Sequence, residues 1–315
     1  MSQRIPLPMP NGWFRVAESD ELVAGQVLAA RLCGQDLVLF RGQTGQAHVL
    51  DAHCCHLGAH LGHGGKVEDD CIRCPFHAWL YDGDGKCVEI PYAKRIPAKA
   101  AVRSWPVTEK NGIVMAWYHS EGRPPQWEIP EVPEFGSADW TEPAVRRFKV
   151  RSHPQEQMEN IVDPAHFQYV HGTSSPTTTE AETDGHIFRI RSGIPFSTPQ
   201  GQIEGTLTVE SHGFGLGVTR FTGIVDTLLV ITGTCVDEEE HETVIRFSVR
   251  KTGDEAAASV VGEAFIAEIE RQYGQDMPIW ENKVHLERPA LCEADGPIGQ
   301  LRAWAKQFYP GGQVA

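Results

Sequence analysis

From residue 13 to residue 118 the apolar positions come in short runs: GQVLAARL, DLVLFRG, AHVLDAH, CVEIPY and GIVMAWY are continuous or alternating, and CGQD, GQTGQ and GDGK separate them. Runs of that length between Gly- and Asp-rich turns predict a small antiparallel β domain. The pattern then stops. Residues 120–143, SEGRPPQWEIPEVPEFGSADWTEP, hold five prolines and two glycines without apolar periodicity, which reads as an extended linker. Residues 144–190 mix a helix-like pattern with loops. Residues 186–250 return to strands (HIFRIRSGIPF, GQIEGTLTVESH, TLLVITGTCV, ETVIRFSV), and AAASVVGEAFIAEIERQYGQDMPIWENK, 256–284, is strongly helical, with Pro289 beyond its stop. The expected organisation is α+β, with a first domain over 1–119, a linker over 120–143 and a second domain over 144–315.

Length and composition narrow the class. At 315 residues the chain can bury cores that need no covalent staples. Four of its eight cysteines crowd into residues 54–77, and Cys33, Cys87, Cys235 and Cys292 are scattered. They form no secreted disulfide framework and read as buried thiols. The opening MSQRIPLPMPNGWF lacks the apolar core of a signal peptide, and VDTLLVITGTCV is too short to span a bilayer, so a cytoplasmic protein with no membrane span is expected. Residues 1–120 balance 12 Lys/Arg against 12 Asp/Glu, whereas residues 121–315 carry 16 against 30 and account for the net charge of −14. This balance argues against a nucleic-acid partner; the acidic half reads as solvated surface.

The crowded stretch, CCHLGAHLGHGGKVEDDCIRCPFH, carries the chemistry. Cys54-Cys55-His56 is followed, after seventeen residues, by Cys74-Pro75-Phe76-His77. Each arm supplies one thiolate and one imidazole, a set that suits a binuclear iron–sulfur cluster with cysteines on one iron and histidines on the other. Tetrahedral zinc on Cys54, Cys55, Cys71 and Cys74, or on a Cys/His mixture, is the alternative, although adjacent Cys54 and Cys55 are poorly placed to share one ion.

The spacing C-x-H-(17)-C-x-x-H, closed by CPFHAW and opened by NGWFRVA, resembles the Rieske domain of the Rieske oxygenases. The matching cluster ligands are Cys54, His56, Cys74 and His77; His53, His60 and His63 fall outside the pattern. Cys55 stands where the family usually has proline.

A second site is legible in MENIVDPAHFQYVH, residues 158–171. Two imidazoles with a later carboxylate make the facial triad that leaves positions open on non-haem iron. Five residues along a regular helix would point the rings of His166 and His171 some ~140° apart, so convergence requires a distortion, for which Pro164 is the expected cause. Glu263, Glu268, Glu270, Asp276 and Glu281 compete as third ligand, and spacing does not choose. The stretch resembles the catalytic-domain signature of the same family through Glu159, Asn160, Asp163, His166 and His171, and QYGQDMPIWENK resembles the segment that carries its aspartate ligand. The resemblance therefore selects Asp276, with Glu281 as the fallback.

The resemblance covers essentially residues 12–310 and implies an antiparallel β Rieske domain followed by a helix-grip catalytic domain, one [2Fe-2S] cluster and one mononuclear Fe(II). It also implies a homotrimer in which Asp163 bridges the cluster of one subunit and the iron of its neighbour, accepting a hydrogen bond from His166. Dioxygen is the co-substrate. Electrons must come from an NAD(P)H-dependent reductase or a ferredoxin, because no dinucleotide fingerprint follows a strand here. Lys94, Arg95 and Lys99, with Lys66 and Arg73, are the expected docking rim. The cysteine-rich stretch and PALCEADGPIGQLRAWAKQFYP are most similar to the branch of bacterial 3-ketosteroid 9α-hydroxylase oxygenases and sterol 7-desaturases, without the membrane anchor of the animal desaturases. That implies an apolar polycyclic, steroid-like substrate that is hydroxylated or desaturated; a smaller aromatic or alkaloid-like compound is the runner-up. The expected pocket wall is Ile187, Ile194, Phe196, Leu207, Phe214, Phe221, Ile224, Leu228, Val230 and Ile231, with Arg189, Arg191 and Arg220 as its candidate cations.

Overall fold

The computed structural model describes residues 4–173, 176, 178–198, 201–223, 225–251, 255–312 and 314. The chain divides into two compact units, Trp13–Glu131 and a second made of Met1–Gly12 with Val132–Ala315.

In the first unit the pair Val107–Lys110 and Ile113–Tyr118, the three-stranded meander and the four-stranded sheet are antiparallel. Strand Ile113–Tyr118 lies between Gly12–Glu18 and Val107–Lys110; Val27–Leu32, Gln35–Arg41 and Ala47–Asp51 make a meander; Lys66–Glu68, Cys71–Arg73, Leu80–Tyr81 and Cys87–Glu89 make a four-stranded sheet. Two hairpins close on residue pairs with positive φ, Cys33-Gly34 (49° and 75°) and Asn111-Gly112 (58° and 73°). Such pairs match the right-handed twist of the strands that they join. The core gathers Val38, Phe40, Leu50, Leu61, Ile72 and Tyr81 around Cys54 and Cys74.

The second unit is built on a seven-stranded antiparallel sheet in the order Ala144–Val150, His241–Val249, Thr227–Cys235, Leu216–Thr222, Gly201–His212, Ile187–Thr198, Thr178–Asp184. Residues 144–150 and 178–184 are thus strands in a region that reads as partly helical. The expected helix is Glu255–Asn282. It packs Phe265, Ile266, Ile269 and Tyr273 on Leu229, Ile245, Phe247 and Val249 of one sheet face.

The boundaries differ from the expected ones for a physical reason at each end. Arg4 donates to the carbonyls of Trp280 and Lys283 at 2.7 Å, and Asn11 N donates to Phe308 O at 2.7 Å; these bonds tie the first residues to the second unit. The proline-rich stretch is pinned on both sides of Val132 rather than free. Trp127 is buried and its carbonyl accepts from Trp13 Nε1 at 2.8 Å, while Glu134 pairs with Arg220 and Thr141 N donates to Val249 O at 2.9 Å.

Candidate metal centres and cavity

Two loops of the first unit share one backbone plan. Cys54 N donates to Ala59 O and Gly58 N to Cys54 O, both at 2.9 Å; likewise Cys74 N donates to Trp79 O at 2.8 Å and Ala78 N to Cys74 O at 3.2 Å. Gly58 (φ 76°) and Ala78 (φ 58°) hold matching left-handed positions. Alanine pays for that conformation, as residues at functional sites often do. The plan buries both cysteine sulfurs and sets His56 and His77 edge to face with centroids 4.7 Å apart, His56 lying flat on Trp79. The Tyr81 hydroxyl is 3.0 Å from Cys54 Sγ and 3.4 Å from Cys55 Sγ. Burial pushes the Cys54 thiol up, and the Tyr81 hydrogen bond works against that rise by favouring thiolate.

This arrangement fits a binuclear cluster. His56 Nδ1 is buried without a hydrogen-bond partner, and each loop offers one sulfur and one ring. The zinc alternative does not assemble, since among the described residues Cys54, Cys55, Cys71 and Cys74 are not gathered within ligand distance of one another. His53 and His63 are exposed on either side of His60, with ring centroids 5.0 Å and 4.4 Å from it.

In the second unit His166, His171 and Asp276 place one ligand atom each within 4.8 Å of the others. The rings of His166 and His171 are 5.0 Å apart at 80°. Pro164 is not what brings them together: it opens the short helix Pro164–Tyr169, a position where its missing N–H costs nothing. The distortion lies at the other end. His171 N reaches back to His166 O at 3.4 Å and Thr173 N to Phe167 O at 3.0 Å, and Gly172 turns left-handed at φ 69°. Val170 N keeps the regular bond to His166 O at 2.8 Å and caps the helix, so His171 lies in the turn just past the helix end and is not bound to the helical spacing.

Both imidazoles are held through Nδ1. His166 donates to the backbone carbonyl of Asp163 at 2.5 Å and His171 to Gln275 Oε1 at 3.0 Å, which leaves both Nε2 lone pairs for a metal. Arg271 fixes Gln275 and the His171 carbonyl at 2.8 Å and 3.0 Å. Asp276 Oδ2 is 3.4 Å from His171 Nε2, and its buried Oδ1 lacks a partner. Burial pushes the Asp276 carboxyl above its usual range, and the two histidines pull it back. A buried anion facing two free imidazole nitrogens fits a divalent iron. The other acids are engaged elsewhere: Glu281 accepts from Arg151 N at 3.3 Å, Glu268 pairs with Arg271, Glu270 with Arg146, and Glu263 is exposed.

The Asp163 carboxylate does not take the His166 bond that the resemblance implies. Its Oδ1 caps the short helix, accepting from Ala165 N at 2.9 Å and His166 N at 3.4 Å, and the backbone carbonyl holds the ring instead.

The triad lines a cavity of about 260 Å³ between the sheet and the long helix. Facing residues run in rows across the strands, Val209–Thr219–Leu229 and Ser211–Gly217–Ile231–Ile245. Of the expected wall, Phe214 and Ile231 line it. Leu228 and Val230 alternate to the opposite face, and Phe221 packs on Phe265. Ile187, Ile194 and Leu207 do not line the cavity, and Ile224 and the Phe196 side chain lie outside the described residues. Among the described residues no arginine lines it: Arg189 pairs with Glu210, Arg220 with Glu134, and Arg191 is exposed. Sequence reasoning missed Gln157, His241, Thr243, Tyr273 and Gln275, whose one signal is the alternation of His241, Thr243 and Ile245 along a strand.

Buried Glu156 is 2.6 Å from both Lys283 Nζ and His285 Nδ1. Burial pushes its carboxyl up, but the Lys283 ammonium first and the His285 hydrogen bond second more than offset this and hold it below the usual range. Its stabilisation is therefore complete above the unfolded carboxylate pKa and is lost as pH falls through the lower folded one. Urea unfolding should find Glu156→Gln less stable by roughly 3 kcal/mol at pH 7, with the gap to the parent closing towards pH 3. A gap independent of pH would refute the pairing.

Comparison with known proteins follows the same division. Residues 12–106 match the Rieske [2Fe-2S] domain and residues 116–309 the 3-ketosteroid 9alpha-hydroxylase C-terminal domain. The chain is 32% identical to cholesterol 7-desaturase of Caenorhabditis elegans, with 97% of this chain and 78% of that protein covered. It is 32% identical to a 3-ketosteroid-9-alpha-monooxygenase oxygenase component of Rhodococcus rhodochrous, over 96% and 82%. Among solved structures, Pseudomonas putida CBB5 NdmA with caffeine superposes with a TM-score of 0.79 at 20% identity, over 94% of this chain and 89% of that one. Dicamba monooxygenase bound to dicamba gives 0.72 at 19%, over 95% and 97%.

Proposed function

Since this chain belongs to the Rieske oxygenases, in the branch defined by the 3-ketosteroid 9α-hydroxylase C-terminal domain, we propose that it is the oxygenase component of a multicomponent monooxygenase acting on an apolar, steroid-like polycycle. The observation that carries this reading is the convergence of His166, His171 and Asp276 on the wall of a largely apolar cavity. Cys54, His56, Cys74 and His77 would hold the [2Fe-2S] cluster, and the triad the mononuclear iron. Bound there, the two centres supply electron delivery and dioxygen activation. The protein orients the two ligand histidines through Asp163 O and Gln275, holds the substrate, and excludes water with Phe214, Leu229 and Ile231. A homotrimer, a cytoplasmic location and a reductase or ferredoxin partner complete the proposal. No helix among the described residues is long and apolar enough to cross a membrane. Lys94, Arg95 and Lys99 are exposed and suit the docking rim, whereas Arg73 is already neutralised by Glu68 and Glu89.

Metal analysis joined to oxygen uptake tests this reading. The purified protein should hold about three irons and two acid-labile sulfides per chain, and steroids should stimulate oxygen consumption with its reductase. About two irons and no stimulation would reduce it to an electron carrier. Stimulation by small aromatics alone would move the substrate class.

Asp163 provides a narrower test. Asparagine caps a helix about as well as aspartate, so Asp163→Asn should keep both metal centres and its assembly. If the carboxylate also bridges neighbouring subunits, single-turnover reoxidation of the pre-reduced cluster should slow at least roughly tenfold. Reoxidation at the parent rate would leave Asp163 as a cap alone.

A further inference from the structure

Between Cys54 and His56, Cys55 adds a thiol that the cluster does not need as a ligand. The residue is exposed, yet its Sγ lies 3.4 Å from the hydroxyl of fully buried Tyr81, and the same hydroxyl is 3.0 Å from Cys54 Sγ. Two sulfurs, one a candidate ligand and one not, thus meet at one oxygen.

The count of protons sets the direction of each bond once a cluster is held. Cys54 on iron is a thiolate and can only accept, whereas a phenol keeps its proton at neutral pH and has one to give. Tyr81 therefore donates to Cys54. Its oxygen is left with lone pairs, and the Cys55 S–H, a weak donor, is within reach of them. The chain runs from the Cys55 thiol through the Tyr81 hydroxyl to the Cys54 sulfur. Hydrogen bonds linked in this way polarise one another, each strengthening the next by roughly 10–30%. A stronger bond to a cluster sulfur favours the reduced cluster, which carries one more negative charge.

We propose that Cys55 is a positioning residue for electron delivery, which acts through Tyr81 to raise the reduction potential of the cluster. A proline at that position has no proton to offer Tyr81. The inference rests on the reading of Cys54, His56, Cys74 and His77 as the cluster ligands and goes beyond it: the departure at residue 55 makes the cluster a readier acceptor of electrons from its donor.

The test is a double-mutant cycle on the cluster-loaded protein, with Cys55→Ala, Tyr81→Phe and both together, read by the midpoint potential. Cys55→Ala should keep the rhombic spectrum of the reduced cluster and shift the reduction equilibrium roughly twofold towards the oxidised form, about 18 mV downward at 59 mV per tenfold. In the Tyr81→Phe background the same change should leave the potential where it was. If Tyr81→Phe fails to hold a cluster, resonance Raman spectra of the parent and Cys55→Ala take its place. The stretch between iron and cysteine sulfur should then rise in the variant, because a sulfur relieved of part of its hydrogen bond binds iron more firmly; an unmoved stretch counts against the chain. An equal fall of potential in both backgrounds overturns the proposal, since Cys55 would then act without Tyr81, and so does a rise. A parent lacking the rhombic spectrum overturns the cluster reading and this inference together, whereas that spectrum with an unmoved potential in Cys55→Ala overturns this inference alone.

Discussion

Asp276→Ala will empty the mononuclear iron site and bring substrate-dependent turnover to background, while the absorption and reduced-state spectrum of the cluster stay those of the parent. The effect should exceed roughly a hundredfold in iron affinity, the upper end of what is lost when groups supporting a ligand are removed, because the carboxylate supplies the negative charge among the three candidate ligand side chains. A structural role would leave a different trace. Asp276 is buried with one oxygen lacking a partner and with its carboxyl held above the usual range by desolvation. In metal-free protein, Asp276→Asn should therefore melt no lower than the parent, and higher if desolvation dominates. Iron content, turnover and metal-free melting together separate a ligand from a core acid. Retained iron with retained activity would sink the assignment and return attention to Glu281.

His77→Ala is the second large effect. Its ring faces His56 at 4.7 Å, each ring carried by one of the two matching loops. Losing one of two histidine ligands should abolish the brown colour and the rhombic spectrum of the reduced cluster. Electron delivery would then fail and turnover would fall to background. The triad lies in the other compact unit, which has its own core, so mononuclear iron should remain near one per chain, to order of magnitude. A reduced variant with the parent spectrum would refute His77 as a ligand.

How much of this the sequence disclosed depended on where side-chain identity alone carries the information. Cysteine and histidine at fixed spacing announced the cluster, because few other arrangements use that donor set. The need for His166 and His171 to converge followed from helix geometry, but its cause did not. A helix that stops just before His171 leaves little trace beyond Gly172, and Pro164 drew attention to the wrong end. The cavity wall failed for a related reason: TLLVITGTC is apolar at both parities, since both faces of that strand are buried. Period two is therefore silent on whether Leu228 or Leu229 faces in. His241 was hidden by its neighbours, because VDEEEHETV reads as a charged turn until the strand register sets His241, Thr243 and Ile245 on the buried face. The opening residues carry no pattern at all; side-chain and backbone bonds from Arg4 and Asn11 place residues 4–12.

Gly217, between Ser211 and Ile231 in the row that faces the cavity, makes the size of the accepted molecule adjustable. A Cβ there would meet nothing nearer than Ile231 at 3.9 Å, an ordinary van der Waals separation, so alanine and then valine can be added with no clash at the first carbon. Each added methyl takes its volume from the ligand and not from the protein. Graded bulk at this one position should shorten the list of acceptable compounds from its largest members downward, leaving the iron ligands and His241 in place. Gly233, with His241 crowded against it, offers no such freedom. Of two glycines on one sheet face, one is thus locked by the ring packed on it, and the other sets an upper bound on girth.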